Sequence, residues 1–216
     1  MTPEQLVRSC PKLYHMAEGG SWPQILRHGL LSTSALLDLF DVKGARRVSL
    51  EEQHRPGKTT LTHPLHGMCV LRDQKPMPPA RLRMCLPRNV SSSSWYRLLN
   101  GKVFFWGSAE RLDRLLQARH YRNDEHDVLV VDAAKLLRAY NENLTLCHMN
   151  SGNTFPFGAR RTPSIFRSIE DYPTSGMGHP RPPVVEVVVE YGVRNIEKIV
   201  LDVRRMKGGK DLGAAK

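Results

Sequence analysis

The sequence predicts a single-domain α/β (α+β) fold, with short strands interleaved with helices that flank a central β-sheet. Three observations predict it. The chain has 216 residues, 40% of them hydrophobic, which is enough for one domain with a substantial core and short for two. Apolar residues recur at helical spacing in some stretches and as compact β-branched or aromatic runs in others. No internal repeat is visible, and turn-forming residues punctuate the chain at short intervals.

Taken in order, Thr2 and Pro3 before "EQLVRSC" predict a capped first helix, because a Thr oxygen accepts an orphan amide and Pro suits the first helical position. "KLYHMA" reads as a brief strand. "SWPQILRHGLLS" places Trp22, Ile25, Leu26 and Leu30 at helical spacing and stops at Gly29, and "TSALLDLFD" continues as a second helix. Residues 41–100 hold much of the Pro, Gly and Ser and many basic side chains. They read as an irregular basic insertion, with a short strand or turn around "GMCVLRDQ" and a short helix at "WYRLLN". Beyond the Asn100-Gly101 turn come a strand, "KVFFW", and an amphipathic helix after Ser108 with Leu112, Leu115 and Leu116 on one face. "HDVLVVDAAKLLRAY" is a strand running into a helix. "NSGNTFPFGARRTPSIFRSIEDYP" is loop-like with a helical turn near "SIFRSI". A final strand pair, "VVEVVVE" and "IEKIVLDVRR", closes a domain expected to span residues 1–206, and residues 207–216 read as a flexible tail.

The charge balance bears on partners rather than fold. Thirty-two Lys and Arg against 21 Asp and Glu give a formal +11, which favours a polyanionic partner such as nucleic acid or an anionic cofactor; a merely solvated basic surface is the alternative. Cys10, Cys69, Cys85 and Cys147 form no CxxC pair, so neither a zinc cluster nor a thioredoxin-like site is indicated and reduced thiols are expected. The N-terminus lacks an apolar signal core and no stretch is long enough to span a bilayer, so a soluble, cytoplasmic protein with no membrane partner is expected. GxGxxG is absent. Gly57-Lys58-Thr59 ends like a Walker A motif but lacks its upstream glycine and strand, which removes the Rossmann and P-loop readings.

One residue breaks its local pattern. Glu186 interrupts the valines of "RPPVVEVVVEYGVRNIEKIVL", and an ionised carboxylate in a low-dielectric core costs several kcal/mol unless something pairs with it. Pairing with an Arg at a sheet edge is one reason for its presence; a functional site is the other. His15 closes "LYH" just before a polar Gly-Gly loop, at a strand's mouth rather than mid-core. Phe105 and Trp106 end the "KVFFW" strand, where alternation points one of them inward, to stack on a ligand or to pack in the core. Asn150, Ser151, Gly152 and Asn153 read as turn chemistry that could also shape a cleft.

In order along the chain, "LYHMAEGGSWPQILRHGLLST", "GKVFFWGSAERLDRLL", "HDVLVVDAAKLL" and "VVEVVVEYGVRNIEKIVL" resemble the core of the ADP-ribosyltransferase superfamily, particularly divergent bacterial members such as the DarT-type toxins. They resemble an uncharacterised bacterial domain family more closely still. The resemblance implies a split central sheet that binds NAD, as substrate and without a metal, in its cleft. It also implies transfer of ADP-ribose to an acceptor. With the basic charge, that acceptor is expected to be RNA or DNA, in a bacterial toxin or phage-defence effector that could have an antitoxin protein as partner. Under it Glu186 is the catalytic Glu, holding the ribose 2′-hydroxyl and stabilising the oxocarbenium-like cation, with Glu190 as the fallback. His15 would contact the cofactor ribose. Ser32 and Thr33 could reach the cofactor, although helix capping explains them equally. Phe105 or Trp106 could stack on nicotinamide. "VFFWG" departs from the pattern in having neither the tyrosine nor the arginine that relatives carry there, so Arg72, Arg111, Arg160 and Arg161 compete for the diphosphate. The alternatives are transfer to a protein, RNA 2′-phosphotransfer on the same fold, and a noncatalytic nucleic-acid-binding module.

Overall fold

Capping and turn residues set the element boundaries of the computed structural model, which describes residues 1–154 and 159–215; residues 155–158 of the "TFPFG" loop lie outside the description. Helix α1 (Pro3–Ser9) opens on a capping box in which Gln5 N–H donates to Thr2 Oγ1 at 3.3 Å and Thr2 N–H donates to Gln5 Oε1 at 2.8 Å. Strand β1 (Lys12–Glu18) follows, then α2 (Trp22–His28), which ends at Gly29 with φ 87°; a Cβ there would sit 2.6 Å from Arg194 Cα. The two-residue β2 (Leu30–Leu31) leads into α3 (Thr33–Leu39).

Residues 41–100, expected to be irregular, are largely ordered into helices and a hairpin. They form α4 (Gly44–Glu52), the hairpin of β3 (Thr59–His63) and β4 (Gly67–Leu71), α5 (Pro79–Cys85) and α6 (Ser92–Asn100). The reason is two small cores of their own. Val42, Leu50, Leu61 and Leu71 pack with Leu37 and Phe40 of the preceding segment, and Leu82, Trp95 and Tyr96 pack with Ile165. The prolines and glycines that suggested irregularity sit at boundaries: Pro78 and Pro79 open α5 and Gly67 starts β4.

The second half alternates β5 (Lys102–Trp106), α7 (Ala109–Leu116), β6 (Glu125–Asp132) and α8 (Ala133–Tyr140), as the sequence periodicity predicts, and adds β7 (Leu144–Cys147), which the sequence reading leaves unassigned. After the long loop come β8 (Glu186–Glu190), β9 (Gly192–Val193), β10 (Val200–Lys207) and β11 (Lys210–Ala214). The expected flexible tail is therefore mostly strand. Gly208 and Gly209, at φ 54° and 83°, supply the positive φ values that a two-residue hairpin turn requires, and Lys207 pairs with Lys210 across it. The "VVEVVVE" and "IEKIVLDVRR" strands are also not partners, and Ile196–Lys198 is a 3₁₀ turn rather than strand.

A seven-stranded sheet runs in the order β11-β10-β6-β1-β5-β8-β7, each pair antiparallel, with β2-β9 and β3-β4 as separate ribbons. This is a mixed α+β domain with helices on both sheet faces. Leu6 of α1 and Leu136 and Leu137 of α8 pack on one face with Leu13, Phe105, Leu129 and Val187. On the other, Leu112 and Leu116 of α7 pack on Met16 and Val128, and Trp95 and Leu99 of α6 meet Cys147 and Phe104.

One seam differs from the rest. β1 and β6 align through seven residue pairs, whereas β1 and β5 share only Tyr14 with Trp106. Phe105 is fully buried in the core beneath that seam, packed rather than free to stack on a ligand. Replacing it by Ala should cost roughly 3–5 kcal/mol, measured by urea unfolding, whereas Phe105→Leu should retain most of the stability.

Candidate functional site

The seam between β1 and β5 opens into a cleft of about 450 Å³, within the size range of small-molecule sites. Successive residues His15, Met16, Ala17 and Glu18 of β1 and Lys102, Val103 and Phe104 of β5 all border it. Side chains alternate between sheet faces, so consecutive residues can border one cavity only if the strands present their edges to it. The cleft thus occupies the gap in the sheet. The α2–β2 turn, the N-terminus of α3, the β3–β4 hairpin and residues 150–152 complete its walls.

His15 stands at the divergence. Its Nδ1 lies 2.8 Å from the Phe104 carbonyl oxygen, which can only accept, so Nδ1 carries the proton and donates. The side chain thereby supplies a cross-strand bond where the ladder is missing. Burial holds the imidazole pKa down to about 4, against the rise favoured by that hydrogen bond and with the nearby Arg72 charge reinforcing the fall. The ring is neutral at physiological pH, and Nε2 is an acceptor.

Glu186 opens β8 directly opposite Trp106 on β5 and Cys147 on β7, so the three share a sheet face. It is 3% exposed and borders the cleft. The Ser151 amide donates to both carboxylate oxygens, at 3.1 and 3.3 Å. The Ser151 hydroxyl, by contrast, is buried with no hydrogen-bond partner among the described residues. Burial raises the Glu186 pKa to about 7; the contacts from Ser151 and the charges of Arg161 and Arg111 pull the other way without cancelling it. The same setting pushes the neighbouring Cys147 thiol up to about 12, which leaves it unreactive.

The turn that presents the Ser151 amide is held by Arg161. Its buried guanidinium donates to the carbonyls of Asn150 (3.3 Å), Ser151 (3.5 Å) and Ala159 (2.6 Å), and to that of Asn153. Arg161 is therefore a positioning residue that does not itself border the cleft, and Asn150, Ser151 and Gly152 do shape the wall.

Arg72 does border the cleft. One Nη1–H donates to the Met16 carbonyl at 2.8 Å, and the guanidinium lies 5.1 Å from the Tyr121 ring centre, a cation–π distance. The rest of its donor fork has no protein acceptor among the described residues. Trp106, Ser32 and Thr33 also line the cleft. Ser32 is 2% exposed and accepts from Ala35 N–H at 3.2 Å, so capping α3 accounts for it, while Thr33 Oγ1 accepts from Arg55 at 3.4 Å. Besides Arg161, four expected residues fall outside the cleft. Phe105 points into the core and Phe104 borders the cavity in its stead; Arg160 and Arg111 do not line it; and Glu190 is exposed and ion-paired with Lys102.

Sequence reasoning missed Arg55, a buried cation on the cleft wall. It donates to Asn100 Oδ1 at 2.9 Å, to the Arg72 carbonyl at 3.3 Å and to the Leu50 carbonyl, tying α4, β4 and α6 together. Burial lowers its pKa to about 10, so it stays charged at neutral pH. Its stretch, "QHRPGKTT", shows no periodicity that could have marked it. Among the described residues no cluster of His, Cys, Asp or Glu is arranged to hold a metal, and no helix is long and apolar enough to cross a membrane.

Two outcomes follow for Glu186. Its folded pKa is raised, so its contribution favours the fold fully below the unfolded value of 4.5 and is lost as pH rises towards 7. Glu186→Gln should therefore stabilise the protein more at pH 8 than at pH 5, by up to roughly 3 kcal/mol, in paired urea melts. Carbon-13 NMR of the Glu186 carboxyl should titrate near pH 7, and Arg161→Ala should move that midpoint upward.

Residues 11–200 match the model of a family described as "Family of unknown function (DUF7002)", and the chain belongs to that family. No curated protein matches the chain.

Proposed function

We propose that this member of the DUF7002 family is an NAD-dependent ADP-ribosyltransferase that modifies nucleic acid. The observation that carries the reading is the buried Glu186 carboxylate at the wall of a cleft formed where two strands of the central sheet part. A carboxylate kept in a water-poor site, with an amide fixing its orientation, is suited to stabilise positive charge developing beside it.

Neutral His15 offers an acceptor for a ribose hydroxyl, and Arg72 offers a donor fork for the diphosphate. Trp106, opposite Glu186 on the same sheet face, offers a flat surface for the nicotinamide ring. Glu186 would accept a hydrogen bond from the ribose 2′-hydroxyl. The bond between the anomeric carbon and the nicotinamide nitrogen then breaks with its electron pair leaving on nicotinamide, now neutral. An acceptor oxygen or nitrogen forms the new bond to the anomeric carbon and releases a proton. The +11 charge inclines the acceptor towards RNA or DNA. A bacterial toxin or phage-defence role, with an antitoxin protein as partner, follows from the same resemblance, and so does a cytoplasmic site of action.

Labelled NAD incubated with separate RNA, DNA and protein pools is the direct test. Label should appear on a nucleic-acid pool, and Glu186→Gln should lower the rate by roughly 10²–10³. The working form is the ionised carboxylate, whose pKa of about 7 predicts a rate rising about tenfold from pH 6 to pH 8. Label on protein alone would redirect the acceptor. A folded protein that labels no pool and releases no nicotinamide would sink the transferase and leave a noncatalytic nucleic-acid-binding module as the account.

A further inference from the structure

The net charge of the chain is not spread evenly. Residues 74–109 and 143–169 together contain nine Lys and Arg and no Asp or Glu, so of the +11 on the whole chain only +2 belongs to everything else. These two segments are far apart in sequence and adjacent in space. Leu82, Trp95 and Tyr96 of the first share one apolar cluster with Cys147 and Ile165 of the second. Backbone bonds join them as well: Arg161 N–H donates to the Cys85 carbonyl at 2.8 Å and Thr154 N–H to the Pro76 carbonyl at 3.1 Å. The fold thus gathers two acid-free segments into one basic lobe, on which Asp73, Glu52 and Glu190 of other segments pair with Lys75, Arg97 and Lys102, and the Ser151 amide that orients Glu186 belongs to it.

Within the lobe the cations divide by role. Lys102 is neutralised by Glu190, Arg97 pairs with Glu52 at 3.3 Å, and buried Arg161 serves the turn. Among the described residues Arg83, Arg88 and Arg160 are exposed and have no carboxylate partner; Arg83 donates to the Val90 carbonyl at 2.8 Å. Arg83 lies on α5 and Arg88 just beyond it, and the bond from Arg161 to Cys85 brings Arg160 beside the same helix end. Exposed guanidinium groups without carboxylates to satisfy them are ready ligands for phosphates.

From this segregation we infer that the C-terminal end of α5 and the adjoining residues 159–161 form the docking face for a single-stranded nucleic acid, beside the cleft that holds Glu186. Polyphosphate chemistry is what complements exposed arginines that have no carboxylate partner among the described residues. Single strands are specified because Glu186 is 3% exposed at a cleft wall, where a group held in a duplex could not reach and an unstacked nucleotide could. The choice of a single strand rests on the transferase reading of the cleft; the location of the face does not.

Fluorescence anisotropy with short labelled RNA and DNA single strands, and with a duplex of the same length, tests this in the absence of NAD. The whole chain is compared with a double variant, Arg83→Ser with Arg88→Ser, and with a charge-matched control at exposed sites outside the lobe, Arg119→Ser with Arg122→Ser. The face predicts that the first variant binds roughly tenfold more weakly and that its slope of log affinity against log salt shrinks by about 1.4, two phosphate contacts' worth. The control should stay within about twofold of the parent. RNA and DNA arms distinguish the source of the strand. Failure of the parent to bind either strand, equal weakening by both variants, or tighter binding of duplex would overturn the proposal. Nicotinamide release measured on the same samples keeps the two ideas apart. Loss of binding in the Arg83 and Arg88 variant with release unchanged supports the face; normal binding with no release by the parent keeps the face and removes the transferase.

Discussion

The incomplete pairing of β1 with β5 is the constraint on which the rest of the structure depends. A fully laddered sheet would have no room for a cleft, and a sheet with no contact at this seam would fall into two pieces, one of four strands and one of three. Tyr14 opposite Trp106 keeps the halves joined, and the His15 side chain bridges to the Phe104 carbonyl where the backbone does not. An open sheet edge inside a protein leaves polar groups that must be satisfied. Here one imidazole satisfies one of them and, by doing so, has its tautomer fixed.

Much of this was legible in the sequence, and the reasons differ by residue. "KVFFW" and "HDVLVVD" announced strands because their apolar runs are short and dense in β-branched or aromatic residues, and Glu186 stood out because a carboxylate among valines needs a reason. His15, Arg72, Trp106 and Glu186 do meet around one cleft. The side of Phe105 was not legible, since alternation says that neighbours face opposite ways without saying which way either faces. Nor were α4, β3 and α5 within residues 41–100, whose stabilising partners, such as Phe40 and Ile165, lie outside the segment. The Gly208-Gly209 hairpin carried a readable turn signal, but a charged C-terminal stretch with few apolar residues obscured it.

The site also shows how burial and charge oppose one another. Glu186 lies where burial favours its neutral form, and the groups that offset this come from residues near 111, 151 and 161. None of those groups is its neighbour in sequence. Arg161 reaches the carboxylate chiefly through the turn it holds, so the electrostatics of the acid and the shape of the 150–153 turn are set by the same guanidinium.

The strand order has a consequence for how the molecule comes into being. β1, near the start of the chain, lies in the middle of the sheet, between β6 and β5, whose residues come roughly a hundred positions later. β8, which supplies Glu186, is joined to the sheet beyond β5 and ends at residue 190. Such nonlocal pairing makes folding slow compared with a helical protein of equal length. During synthesis, β1 has no sheet partner until β5 and β6 emerge, and the cleft has no acid until β8 does. Whatever this cleft does, it can do it only once the chain has been made past residue 190.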